Sequence, residues 1–166
     1  MKHSGLKHQY RQKRILTHAD RNVRNIQFPV HNSIQTIGIV TDFDFQGDLV
    51  SQYFGSKVKM DALFLKKERR PKQDQSEIIY LSDLDFWGIP TMKMIQPFVD
   101  KPFDILINFT TQQFDPVEYI CARSKAKFRI SKYQHQAIYD LVINQPEIAI
   151  NDYFKEMVRT LNNFSN

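Results

Sequence analysis

The chain has 166 residues, 42% of them hydrophobic and 25% charged, with one cysteine and a formal net charge of +5. That length suits one domain with a core of its own, and the composition excludes collagen-like, fully disordered and disulfide-stapled classes. No apolar run resembles a signal-peptide core or reaches the roughly 18 residues of a membrane span, so a soluble cytoplasmic protein with no membrane partner is expected.

The charge is unevenly placed. Residues 1–24 carry Lys2, Lys7, Arg11, Lys13, Arg14, Arg21 and Arg24 against the single acid Asp20, giving +6, while the remaining 16 basic and 17 acidic residues leave −1. Leu16, Ala19, Val23 and Ile26 recur at spacings of 3 and 4, the stripe of a helix that lays one face on a core. Residues 1–28 are therefore read as a basic N-terminal helical arm, and residues 29–166 as a single α/β domain. Lysine and arginine gain affinity for polyanions by displacing counterions from phosphates, so the arm points to nucleic acid. The plain alternative is a solvated helix face whose cations only keep it soluble. A membrane-surface helix would need bulkier anchors than Leu6, Tyr10, Leu16 and Val23.

After Pro29, the β-branched run Ile34–Thr41 predicts a buried strand. Leu49, Val50, Tyr53 and Phe54 predict a helix ending at Gly55, and Lys57–Leu65 a second strand. Lys66–Ser76, charged and broken by Pro71, reads as a loop, Ile78–Leu81 as a short third strand, and Asp83–Pro90 as an irregular aromatic connection packed on the core. Phe103–Phe109 is nearly continuous in apolar residues, as in a central parallel strand. Asp115 as N-cap, Pro116 at the first helical position and Glu118 as the third member of a capping box then start a helix with Val117, Ile120, Cys121 and Ser124 inward. Ala126–Ile130 follows as a strand, Ala137–Ile143 as a short helix, and Phe154, Met157, Val158 and Leu161 mark a C-terminal helix. Alternating strands and helices predict a three-layer α/β sandwich around a mainly parallel sheet.

Several chemistries are excluded. The glycines at 5, 38, 47, 55 and 88 are never closer than eight residues, so neither a P-loop nor a dinucleotide glycine turn can be built. The five histidines and one cysteine lack zinc-ligand spacing, and no cofactor or metal is expected. Ile39-Val40-Thr41-Asp42-Phe43-Asp44-Phe45 superficially resembles the nucleophile-and-acid pair of haloacid-dehalogenase-type phosphatases, but departs from it at Gln46 and Gly47. Helix-capping acids are the simpler reading, with a Mg-dependent phosphatase-like enzyme as the alternative.

Two further basic clusters lie beyond the arm, read either as ordinary edge-strand and loop protection or, together with the arm, as one phosphate-binding surface. In Arg123, Lys125, Lys127, Arg129 and Lys132, alternation puts 125, 127 and 129 on one exposed strand face. Lys66, Lys67, Arg69, Arg70 and Lys72 lie on the loop before the third strand.

The strand Ile37-Gly38-Ile39-Val40 after a basic helix, the Asp85-Phe86-Trp87-Gly88-Ile89-Pro90 turn, Phe103–Phe109, Pro116–Ile120 and Ser124–Arg129 occur in an order similar to that of an uncharacterised Bacteroidota family, over roughly residues 15–164. That resemblance implies a small cytoplasmic α/β protein and brings no catalytic residues. The Asp-initiated strand, helix and Ala126-Lys127-Phe128-Arg129-Ile130 also resemble, more remotely, the acceptor-side half of heptosyltransferase-type glycosyltransferases, which implies a binding remnant more than a transferase.

The expected function is non-enzymatic binding of structured RNA, in its most concrete form ribosome-associated, with Lys7, Arg11, Lys13, Arg14, Arg21 and Arg24 as phosphate contacts and Lys125, Lys127 and Arg129 supporting them. The competing expectations are an enzyme, phosphatase-like or glycosyltransferase-derived, and a protein–protein adaptor using the Phe86-Trp87 turn.

Overall fold

The computed structural model describes residues 3–21, 26–44, 47–72, 78–135, 137–145 and 147–164. Its strands are β1 (Thr36–Thr41), β2 (Lys59–Lys66), β3 (Ile79–Tyr80), β4 (Ile105–Asn108), β5 (Phe128–Ser131) and β6 (Leu141–Val142). They form one sheet in the order β3-β2-β1-β4-β5-β6, and every pairing is parallel. The α-helices are α1 (His3–Arg21), α2 (Asp48–Phe54), α3 (Met92–Val99), α4 (Asp115–Arg123) and α5 (Ile150–Asn163). This is the expected α/β architecture, with the N-terminal helix present.

Alternation along the strands divides the core in two. Ile37, Ile39, Ile105, Ile107, Phe128 and Ile130 face α2 and α5, meeting Val50, Tyr153, Phe154, Met157 and Leu161. Val40, Leu63, Leu65 and Leu106 point the other way, toward Ile15 of α1, Ile95 and Val99 of α3, and Val117, Ile120 and Cys121 of α4. Covered on both faces, β1 and β4 are buried at nearly every position. Gly38 is required by this packing: a Cβ there would meet Cδ2 of Phe103 at 2.6 Å, so the missing side chain lets that ring lie on β1.

Residues 92–99, which carry no sequence expectation, form α3 despite Pro97 inside the helix. The structure corrects three expectations. The short helix expected over Ala137–Ile143 is instead β6, held beside β5 by Ile130–Leu141 and Ser131–Val142 pairing. In α1 the buried residue is Ile15, while Leu16 is 43% exposed and Ile26 lies beyond the helix, also exposed; Val23 is outside the described residues. The start of α4 has Phe114 as its N-cap and Asp115 within the first turn, and Glu118 is buried under the helix instead of closing a capping box.

Candidate nucleic-acid interface

Helix α1 lies along α4 in the same direction, and the contact is built from residues 8, 11, 12, 15, 18 and 19, one face at helical spacing. Ile15, fully buried, is its apolar centre, with Ala19 packed beside it. At one end Asp115 accepts bonds from three α1 side chains: His8 Nδ1 at 2.9 Å, Arg11 Nε at 2.5 Å and Gln12 Nε2 at 3.0 Å. Burial pushes the Asp115 carboxyl up, but the Arg11 and His8 bonds outweigh it and hold the group below its ordinary value. Arg11 also donates to the Trp87 carbonyl at 3.1 Å. The arm is thus docked on the domain, and one of its predicted phosphate contacts, Arg11, is committed to that docking.

The flank of α1 beside this face carries the charge. Lys7, Arg14 and Arg21 are seven residues apart, which returns each to nearly the same side of a helix, about 10 Å further along. Arg14 donates to the Tyr10 hydroxyl at 3.0 Å, and the hydroxyls of Tyr10 and Tyr119 raise its pKa. Arg123, in the last turn of α4, places Nη1 within 3.1 Å of the His18 ring nitrogens, and His18 meets the Tyr119 ring edge-on. Burial, then the positive charges of Arg123, Arg14 and Arg21, push the His18 pKa down to about 4. His18 is therefore a neutral ring amid three guanidinium groups. Among the described residues none of the three has a carboxylate within ion-pair distance.

At the N-terminal end of the same flank sits the turn 85–88. Tyr10 stacks on Trp87 with ring centroids 4.2 Å apart, Phe86 meets Trp87 edge-on, and the Lys7 ammonium lies 4.0 Å above the Phe86 ring. The turn is closed from within. Asp85 Oδ1 accepts the N–H groups of Trp87 and Ile89, both at 2.9 Å, and Gly88 takes φ +77°, where a side chain would be strained. Leu6, Lys7, Tyr10, Phe86 and Trp87 line a groove of about 600 Å³.

The remaining predicted contacts are dispersed. Lys13 is exposed on the outer face of α1, and Arg24 is outside the described residues. Lys125 pairs with Asp100 at 2.8 Å, and Lys127 with Asp104 at 2.7 Å, while the other oxygen of Asp104 holds the backbone N–H groups of Gln35 and Thr36. Arg129 corrects the shared exposed face: β5 starts only at Phe128 and is covered on both sides, so Arg129 is 1% exposed. It donates to the carbonyls of Ser124, Ala122 and Ile138, capping the C-terminal end of α4, where carbonyls lack helix partners. Arg123, Tyr10, Phe86 and Trp87 are the members that the expected set of phosphate contacts left out. Parity of spacing along α1 identifies Tyr10, but only the fold brings the turn and the end of α4 beside it.

Residues 7–164 match a family of unknown function, DUF6913. The chain belongs to that family. Comparison with curated proteins and with solved structures gives no match.

In this DUF6913 chain the carboxyl ends of β1 and β4 form the other place to look for a site. The order of strands reverses there, and open parallel sheets bind ligands at such a reversal. Asp42 is engaged on both oxygens: Oδ1 accepts the Thr111 N–H at 2.7 Å, and Oδ2 accepts the Thr111 hydroxyl at 2.6 Å and Lys67 Nζ at 3.2 Å. Asp44 is exposed and lies 3.5 Å from Lys66. Arg70 of the same basic loop is tied to Asp83 at 3.0 Å. The 380 Å³ cleft between Asp42, Lys66, Lys67 and Thr111 is thus crossed by its own ion pairs. Lys132, at the end of β5, is largely buried over the Phe109 ring, and burial lowers its pKa. Among the described residues no three His, Cys, Asp or Glu side chains converge as metal ligands, and no helix is long and apolar enough to cross a membrane. Cys121, buried in α4, has its thiol pushed up to about 12 by burial and by Glu118, which leaves it a packing residue.

Proposed function

We propose that this protein binds structured RNA through the flank of α1 and the end of α4, with Lys7, Arg14, Arg21 and Arg123 as phosphate contacts and Lys13 on the rim. The observation that carries this reading is the grouping of Arg14, Arg21 and Arg123 around His18 with none of them in an ion pair among the described residues; Asp100, which feels the charge of Arg123, is itself paired with Lys125. Three like charges held together oppose the folded state unless an anion is supplied, and a polyphosphate backbone supplies several at once. The reading extends to a cytoplasmic, ribosome-associated role in Bacteroidota. The glycosyltransferase kinship is a proposal about ancestry; the parallel sheet is compatible with it.

Point variants test this better than deletion, because removing α1 would uncover the core around Ile15. RNA binding is measured at several salt concentrations for the wild type and for Arg14→Gln combined with Arg21→Gln and Arg123→Gln, with circular dichroism confirming the fold. The slope of log K against log salt is expected to fall in magnitude by about 2 for single-stranded contacts. An unchanged slope and affinity overturns the reading.

A further inference from the structure

The groove at the end of the arginine flank has a shape and chemistry that phosphate contacts alone do not use. Phe86 is 74% exposed, Trp87 is 37% exposed and Leu6 is 62% exposed, an unusual concentration of large apolar surface for a turn and the first turns of a helix. These side chains are held in place. The Tyr10–Trp87 stack, the Arg11 bond to the Trp87 carbonyl and the Asp85 bonds beneath the turn fix the ring positions before any ligand arrives. Gly88 lets the turn close against α1, since a Cβ at this position would meet Arg11 Nη1 at 3.2 Å.

We propose that this groove is a nucleobase slot: an unpaired base enters it and stacks on Phe86 beside Trp87, while the phosphates flanking that base lie against Lys7 and Arg14. The inference rests on the RNA reading and names the kind of RNA, one that presents an unpaired base in a loop, bulge or end. Charge complementarity selects this occupant. Among the described residues no carboxylate lines the groove and Lys7 is the charged residue in its lining, and Arg14 follows on the same flank. The carboxylate nearest in sequence, Asp85, is turned to the backbone of its own turn. An apolar protein helix would cover the rings and leave these cations unmatched, whereas a nucleotide brings a π-face and a phosphate together. Base–aromatic stacking tolerates any base, so this slot selects for unpaired nucleotides over duplex without reading sequence.

Trp87 is the only tryptophan in the chain, so its emission reports on this groove alone. The full chain is titrated with an unlabelled single-stranded 12-nucleotide oligo(A), with a blunt RNA duplex of equal length, and with an amphipathic leucine-rich peptide, following Trp87 emission. Anisotropy of end-labelled RNA measures binding independently. The single strand is expected to quench Trp87 in parallel with the anisotropy change, and the duplex to bind without quenching. Phe86→Ala, at an exposed position where the fold is not at stake, is expected to weaken single-strand binding about tenfold and leave duplex binding unchanged. Binding of both RNAs with Trp87 unmoved and Phe86→Ala without effect overturns the slot while the phosphate-binding reading stands. No binding of either RNA at low salt overturns both. Emission that responds to the peptide and not to RNA gives the groove to a protein partner and overturns the slot.

Discussion

The flank of α1 and the carboxyl edge of the sheet are both rich in lysine and arginine, yet they use these residues oppositely. At the sheet edge, Lys66 is matched to Asp44, Lys67 to Asp42 and Arg70 to Asp83, so the charges cancel inside the molecule. On the α1 flank, Arg14, Arg21 and Arg123 act together on one histidine; Arg14 meets the Tyr10 hydroxyl and Arg123 the neutral ring, and among the described residues none of the three is in an ion pair. Counting basic residues along the chain does not separate these cases. What separates them is where the acids fall after folding: Asp115 and Asp104 also remove Arg11 and Lys127 from the surface charge.

The comparison breaks most severely if α1 is not held down. Ile15→Ala leaves a cavity where α1 meets the core and is expected to cost about 3 kcal/mol in chemical denaturation, with RNA affinity falling as the flank loses its support. Wild-type stability after that change would mean α1 contributes little to the fold and the flank is not preorganised. A second, pH-dependent effect belongs to the interior beneath α4. Burial, assisted by the charge of Asp115 and opposed by Tyr139, raises the Glu118 pKa to about 8 against an ordinary 4.5. Neither carboxyl oxygen has a hydrogen-bond partner among the described residues. The unfolded chain releases this proton first, so stability falls as pH rises from about 4.5 to about 8 and levels off above it. Glu118→Gln should match the wild type near the lower limit and exceed it by about 4 kcal/mol at pH 8, as read from urea midpoints. A wild-type slope retained in the variant would assign that pH dependence elsewhere.

The smallest effects sharpen the contrast. Asp42→Ala removes the tie between the ends of β1 and β4 and is expected to cost about 1 kcal/mol of stability without altering RNA affinity. Arg21→Gln should do the reverse, lowering RNA affinity several-fold at an exposed position with stability unchanged. If Asp42→Ala weakens RNA binding as much as Arg21→Gln does, the two regions are one surface and the division between them fails.

The parts of the fold that were legible in the sequence are those with repeated, unambiguous patterns. β1 announces itself by a run of β-branched residues, β4 by a nearly continuous apolar run, and α5 by Phe154, Met157 and Leu161 at helical spacing. α3 was hidden because Pro97 removes a backbone donor and argues against a helix, yet Ile95, Phe98 and Val99 bury enough surface to hold eight residues. β6 has two residues, too few for any period, and its position depends on Asp140, whose carboxylate takes the Arg129 N–H at 2.8 Å. In α1 an apolar-only stripe misplaces the docking face, because half of that face is polar and is satisfied by Asp115, a residue more than a hundred positions away. The same blindness to partners made Arg129 look exposed: a strand period says which side a residue takes, and not whether a helix covers that side. Within the candidate site, Lys7, Arg14 and Arg21 were legible from charge alone. Their junction with Arg123, Tyr10 and Trp87 required the fold.

The docking of α1 has a consequence for the order in which the protein is made. The first helix leaves the synthesis machinery early, but its anchor Asp115 lies 104 residues after Arg11, and Arg123 lies 105 residues after His18. Until α4 has emerged, the basic segment has no surface to settle on, and closing so long a loop is among the slowest contacts the chain forms. Arg14, Arg21 and Arg123 therefore come together only once α4 has been made and packed, which makes the assembled arginine flank a marker that α1 and α4 have docked.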